Sequence, residues 1–179
     1  AYEIPKRDWS SDVCSSDLNV PAGITLSDPA KVVATGGVGN TGYLSLTDAI
    51  GSLNGTAVID DFNAGAAVGG FSARLKLRIG NGSGRPADGF SLSWGNDVTD
   101  SGGGEDGSGT GFKVLLDTYD NGGGEAPALD ISFGGSVFAH TLWAGATSIP
   151  IPQQIDPATG QVASLYTGTN WVELAIDLH

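Results

Sequence analysis

The sequence predicts an all-β fold, an antiparallel sandwich or barrel of eight to ten short strands. Three observations carry this. Apolar residues recur at every second position in several runs, each run is closed by Gly, Asn, Asp or Pro, and no stretch holds a helical period. Glycine fills 29 of 179 positions, well above the usual share of about 7%, as a chain with many tight turns requires.

Taken in chain order, residues 31–35 (KVVAT) read as a short strand. Gly37-Val38-Gly39-Asn40-Thr41-Gly42 then satisfies the GxGxxG pattern of a phosphate cradle. That mechanism needs a helix N-terminus next, whereas the next residues are the strand-like Tyr43-Leu44-Ser45-Leu46, so the motif reads as a turn. Residues 57–62 form a further candidate. The clearest strand is 71–79, where Phe71, Ala73, Leu75, Leu77 and Ile79 share one face and Ser72, Arg74, Lys76 and Arg78 the other, the signature of a half-buried strand.

Similar alternation marks Phe90, Leu92 and Trp94, then Phe112, Val114 and Leu116, and finally Val172, Leu174, Ile176 and Leu178. Residues 129–133 and 137–143 complete the set. Residues 144–170, with Ile149-Pro150-Ile151-Pro152 and Asp156-Pro157, hold no regular pattern and read as a surface crossing with extended pieces. Because the chain stops straight after a strand, further C-terminal strands and an open sheet edge are expected.

Residues 1–18 stand apart. Asp8 to Leu18 (DWSSDVCSSDL) is similar to one reading frame of a common sequencing-adapter oligonucleotide, as found in assembled metagenomic reading frames. It shows neither a strand nor a helix period, nor the apolar core of a signal peptide. The expected domain is therefore a single unit spanning 19–179. Setting the segment aside also removes Cys14, the one cysteine, and leaves the acidic excess in place.

Twenty acidic against eight basic side chains give a net charge of −12, which repels phosphate backbones and anionic lipid. Nucleic acid is excluded as an expected partner. No stretch approaches the roughly 20 apolar residues of a membrane helix, so membrane insertion is not expected. The acidic surface suits calcium, neutral glycans or plain solvation.

His140 and the terminal His179 are the only histidines, too few for a zinc cage or a Ser-His-Asp triad. Carboxylate pairs occur at Asp60-Asp61, at Glu105-Asp106, and at Asp117 with Asp120. The informative run is GFKVLLDTYDN, residues 111–121, with Gly122-Gly123-Gly124-Glu125 directly after it. It delivers hard oxygen donors into a glycine loop, as Ca²⁺ requires: the carboxylates of Asp117 and Glu125, the Tyr119 carbonyl and the Asn121 amide. On composition alone the favoured reading of the same run is an Asx-rich turn capping its own backbone. Upstream, in Arg85-Pro86-Ala87-Asp88-Gly89-Phe90, Asp88 is placed to accept hydrogen bonds from sugar hydroxyls and Gly89 to allow close backbone approach. Both have the turn-cap alternative.

Together, Ala87-Asp88-Gly89-Phe90 and Val114-Leu115-Leu116-Asp117-Thr118-Tyr119-Asp120-Asn121 resemble the two signature segments of L-type lectins, in the concanavalin A-like lectin/glucanase superfamily. The wider run from Gly42 to Asp130 also resembles lectin-like and laminin-G-like modules of large bacterial surface proteins. The resemblance implies a jelly-roll β-sandwich and an extracellular or cell-surface carbohydrate-binding module of a larger protein. It matches Asp88 to the family's sugar-binding aspartate, often preceded by a cis peptide, and Asp117, Tyr119 and Asn121 to its calcium ligands. Asp88, Gly89 and Asn121 are then the expected sugar contacts, with Tyr119 or Trp143 available to stack on a sugar face and Trp94 expected in the core.

Two departures qualify the match. Leu115 stands where the family's transition-metal site needs a glutamate, so no second metal is expected. Ala126 stands where its second calcium carboxylate falls, so Glu125 or Asp130 must substitute. The glucanases of the superfamily carry a run resembling ExDxxE on one strand; none exists here, so the chain is not expected to be an enzyme. A structural or adhesive spacer without a sugar site is the alternative.

Overall fold

The computed structural model of the chain describes residues 20–80, 86–101, 103–142, 154–155, 162–163 and 167–179. The segment 1–18 read as foreign, the stacking candidate Trp143 and most of 144–170 lie outside the described residues. Twelve strands are described, β1 (Ile24–Ser27), β2 (Lys31–Val33), β3 (Tyr43–Ser45), β4 (Thr56–Ile59), β5 (Phe71–Leu77), β6 (Gly89–Trp94), β7 (Phe112–Asp117), β8 (Ala128–Phe133), β9 (Ser136–Leu142), β10 (Gln154–Ile155), β11 (Val162–Ala163) and β12 (Val172–Leu178). The only helical pieces among the described residues are 3-10 turns at Val38–Asn40 and Gly104–Asp106. No described helix is long and apolar enough to cross a membrane.

The period-two runs all emerge as strands, and every described pairing is antiparallel. The GxGxxG segment is a turn, closed by Gly37 N donating to the Thr41 carbonyl (2.8 Å) and leading into β3. β1 was not expected from the sequence: ITLS is too short to display a period, and its pairing with β4 alone defines it.

A four-stranded sheet runs β6-β7-β8-β9, and β5 pairs with the distant β12. One apolar cluster joins the two units. Phe71 and Ala73 of β5 and Leu174, Ile176 and Leu178 of β12 meet Leu92 and Trp94 of β6, Phe112 and Val114 of β7, and Leu129 and Ile131 of β8. Trp94 is a core residue here: it stacks on Phe71 at 4.7 Å between centroids, and Phe112 meets Phe71 edge-on at 5.8 Å, geometries worth about 0.5–1.5 kcal/mol each beyond burial.

On the outward side of β5–β12, Lys76 sits opposite Glu173 and Ser72 opposite Asp177. The Lys76–Glu173 ion pair (2.9 Å), the Arg74–Asp177 ion pair (2.7 Å) and the Ser72 hydroxyl on Asp177 (2.6 Å) hold that register, since a one-residue slip would turn every charge into the core.

Candidate functional site

Antiparallel pairing of β6 with β7 places Gly89 opposite Asp117. The residues just before β6 and just after β7, Asp88 and Thr118, 30 positions apart in sequence, therefore leave the sheet at the same end. Thr118, only 4% exposed, ties them together. Its amide donates to the Asp88 carbonyl at 2.8 Å, and its hydroxyl lies 2.9 Å from the Asp88 carbonyl and 3.1 Å from that of Pro86. The Ala87–Asp88 peptide is cis. A Cβ on Gly89 would stand 2.4 Å from the Leu116 carbonyl, so contact between the strands already accounts for glycine there.

This geometry brings Asp88 and Gly89 to the end of the strand that leads into Asp117, Tyr119 and Asn121. Asp88 and Asn121 are exposed, and neither side chain has a hydrogen-bond partner among the described residues. Tyr119 is 39% exposed. Below them, Asp117 is buried at 6% exposure, one carboxylate oxygen accepting the Tyr119 amide at 3.1 Å. Asp120 accepts the Gly122 and Gly124 amides at 2.8 and 3.1 Å, and Glu125 accepts the Asn121 amide at 2.7 Å. The loop thus satisfies much of its own backbone, as the Asx-turn reading expects. The Gly122 amide is the main influence holding the Asp120 carboxyl below its ordinary range.

Other acids are committed differently. Asp130 of β8 pairs with His140, its direct neighbour on the edge strand β9. Asp61 caps the amides of Asn63 and Gly65 in a loop of its own.

Sequence reasoning missed the placement of Glu105. It sits in the Gly104–Asp106 turn, one carboxylate oxygen is sealed from solvent, and that oxygen has no hydrogen-bond partner. Burial first, then the charges of Asp117, Asp88, Asp106 and Glu125, push its carboxyl above the ordinary range. Asp117 is pushed up as well, by burial first and then by Glu125, Asp130 and Asp88, against the Tyr119 amide that pulls it down. A glutamate in a glycine-rich stretch carries no periodic signal that could have pointed to this.

Among the described residues, none of Asp88, Glu105, Asp117, Asp120 and Glu125 forms an ion pair. Lys113 shares this face of β7 with Asp117 but lies four residues away, about 13 Å along the strand. No three described His, Cys, Asp and Glu side chains are preassembled as a metal cage. The donor chemistry nevertheless suits a hard cation: crowded carboxylates, an orphaned buried oxygen, and a loop rich in carbonyl and amide oxygens.

In comparisons with known proteins, the chain matches no protein-family model and no curated sequence.

Proposed function

We propose that this chain is a calcium-assisted carbohydrate-binding module on a concanavalin A-like jelly-roll sandwich, serving an extracellular or cell-surface bacterial protein of larger size. The observation that carries the reading is the Thr118 tie, which brings the unpartnered Asp88 carboxylate to the loop bearing Tyr119 and Asn121. Asp88 accepts hydrogen bonds from neighbouring sugar hydroxyls, the Asn121 side-chain amide donates one, and the exposed Tyr119 ring offers an apolar face to the sugar.

Asp117, the Tyr119 carbonyl, Asn121 and Glu125 are the residues that would hold calcium. The cation supplies positive charge to a crowded acidic site and fixes the loop that presents Asn121. On this reading the site recognises and holds a sugar.

The second reading, a spacer domain without a sugar site, is favoured by one observation: Asp120, Glu125 and Asp117 already cap the loop amides without a cation. A glycan array probed with the full chain, with and without calcium, separates the two. The module reading expects glycan binding that weakens on chelation and is lost in Asp88→Ala and Asn121→Ala while both variants stay folded. A folded chain that binds no glycan in either condition leaves the spacer.

A further inference from the structure

Asn121 is followed by Gly122, and Asn-Gly pairs also occur at Asn54-Gly55 and Asn81-Gly82. In such a pair no side chain on the second residue hinders its backbone nitrogen from reaching the carbonyl carbon of the asparagine side chain. Whether the two meet depends on how freely the peptide between them turns. Asn81 and Gly82 lie outside the described residues.

The other two pairs differ in what holds the glycine. Gly55 leads into β4, and a Cβ there would stand 1.8 Å from the Leu46 carbonyl oxygen and 3.3 Å from the Ala30 nitrogen. Neighbouring backbone therefore resists any turning of the Asn54–Gly55 peptide. Gly122 is exposed, with φ of +129°, and a Cβ built on it meets nothing within 4 Å. Gly123 and Gly124 follow it at φ of +101° and +79°. The exposed Asn121 side chain has no hydrogen-bond partner among the described residues. One bond restrains the Gly122 nitrogen, its donation to the Asp120 carboxylate at 2.8 Å. That nitrogen becomes a nucleophile only as it sheds its proton, and a carboxylate accepting a hydrogen bond through the same proton opposes the loss.

We infer that Asn121 is a site of spontaneous deamidation, slowed by Asp120, and that its conversion sets the lifetime of the sugar contact. The Gly122 nitrogen bonds to Cγ of Asn121, and its proton leaves with the side-chain NH2 group as ammonia, closing a five-membered imide. Water then opens the ring at either carbonyl, leaving aspartate or isoaspartate at position 121. A neutral amide donor is thereby replaced by a carboxylate that only accepts, in a loop where Asp120 and Glu125 already accept the backbone amides. A site that offered Asp88 as acceptor and Asn121 as donor then offers two acceptors. The lifetime clause rests on the sugar-binding reading above; the chemistry at Asn121 does not.

The test holds the full chain in mildly alkaline buffer at physiological temperature and follows each asparagine over time by peptide mapping with mass spectrometry. The same is done in denaturant, and for Asp120→Ala and Asp120→Asn. In the folded chain Asn121 should convert at least about tenfold faster than Asn54, the ratio given by a difference of about 1.4 kcal/mol in the cost of opening the two segments. In denaturant the two rates should converge. Asp120→Ala should convert faster at 121 than the parent, and Asp120→Asn, which keeps an oxygen acceptor without the charge, should fall between them. Glycan binding of the aged chain should decline in step with conversion, down to the level of freshly made Asn121→Asp, while the melting transition stays in place.

An Asn121 that keeps its amide as long as Asn54 does would overturn the inference. So would a preference for 121 that persists in denaturant, because flanking residues rather than the fold would then cause it. An unchanged rate in folded Asp120→Ala removes Asp120 as the restraint. If Asn121 converts as expected but the fresh chain binds no glycan, the sugar reading falls and the modification site stands. Glycan binding that survives full conversion removes Asn121 from the sugar contacts and with it the link to lifetime.

Discussion

The two outward faces of this molecule treat charge in opposite ways. On β5–β12, Arg74 and Lys76 of β5 pair across the strands with Asp177 and Glu173 of β12. At the shared end of β6 and β7, Asp88, Glu105, Asp117 and Glu125 gather without a partner cation among the described residues, and the carboxyls of Glu105 and Asp117 are pushed up, by burial first. Both faces belong to one acidic chain, so composition does not explain the difference. Paired charges on an exposed strand fix register and stay fully hydrated. Unpaired acids held together by buried contacts are kept in a state that a ligand can relieve. The contrast locates the candidate site more firmly than any single residue does.

The largest effect is expected from cutting the tie that assembles that site. Thr118→Val keeps the shape but removes the buried hydroxyl that reaches the carbonyls of Asp88 and Pro86. Loss of such buried bonds costs about 1–3 kcal/mol, measurable by urea unfolding, and glycan binding should weaken as Asp88 drifts from Asn121. A Thr118→Val chain of unchanged stability would mean that the two loops hold their places independently.

Asp117→Asn should act with the opposite sign. Asparagine keeps the oxygen that accepts the Tyr119 amide and removes a charge the fold disfavours. Measured in chelator at neutral pH, the melting temperature should rise by about 2–4 °C, the shift that about 1 kcal/mol produces in a domain of this size. Calcium should then add nothing. The matching neutralisation on the other face, Glu173→Gln, should lower stability slightly, because there the charge has its lysine.

The same physics decides how much of the molecule was legible in the sequence. The strands were, because alternation such as Phe71-Ala73-Leu75-Leu77 against Ser72-Arg74-Lys76 is a local property that needs no partner to be seen. Pairing was not: nothing in VELAIDL says that it lies beside β5, about a hundred residues earlier. Asp88, Asp117, Tyr119 and Asn121 were singled out because their segments resemble known ones, and adjacent strands bring them together. Glu105 was invisible as a neighbour of Asp117, because its position depends on Gly107 lying against Ser91 and Ser93, a contact between residues with no shared pattern. The same holds for Asp130, whose partner His140 is fixed only once β8 and β9 are in register.

A smaller, pH-dependent effect is expected where Asp97 clamps the loop that carries Glu105. Hydrogen bonds from the Thr110 hydroxyl and then its amide hold the Asp97 carboxyl below its ordinary value. A carboxyl whose pKa is lower folded than unfolded contributes stability that is fully present above the unfolded value, about 3.9. That contribution is lost as the pH falls through the folded one. The clamp should therefore hold unchanged from neutral pH to about pH 5 and release in stronger acid, seen as a loss of protection from hydrogen exchange, relative to the unstructured rate at the same pH, at the Thr99 and Thr110 amides. In Asp97→Asn the clamp should be weaker at neutral pH and its protection, taken relative to the unstructured rate at each pH, should no longer change on acidification. A parent whose protection at these amides is flat through acid would show that the carboxylate does not hold the loop.

The smallest effect belongs to the paired face, and its smallness is the informative part. Arg74 donates to both oxygens of Asp177, at 2.9 and 2.7 Å, yet their side chains are 49% and 39% exposed. Water and salt screen such a pair. A double-mutant cycle with Arg74→Ala and Asp177→Ala should give a weak coupling that fades as salt is raised toward about 1 M. The calcium-dependent stabilisation of the other face, acting through the buried Asp117, should survive the same salt far better, because a desolvated charge is poorly screened. A coupling on the β5–β12 face that resisted salt would place that face against something that excludes water, and the contrast between the two faces would then lie in what covers them rather than in how their charges are arranged.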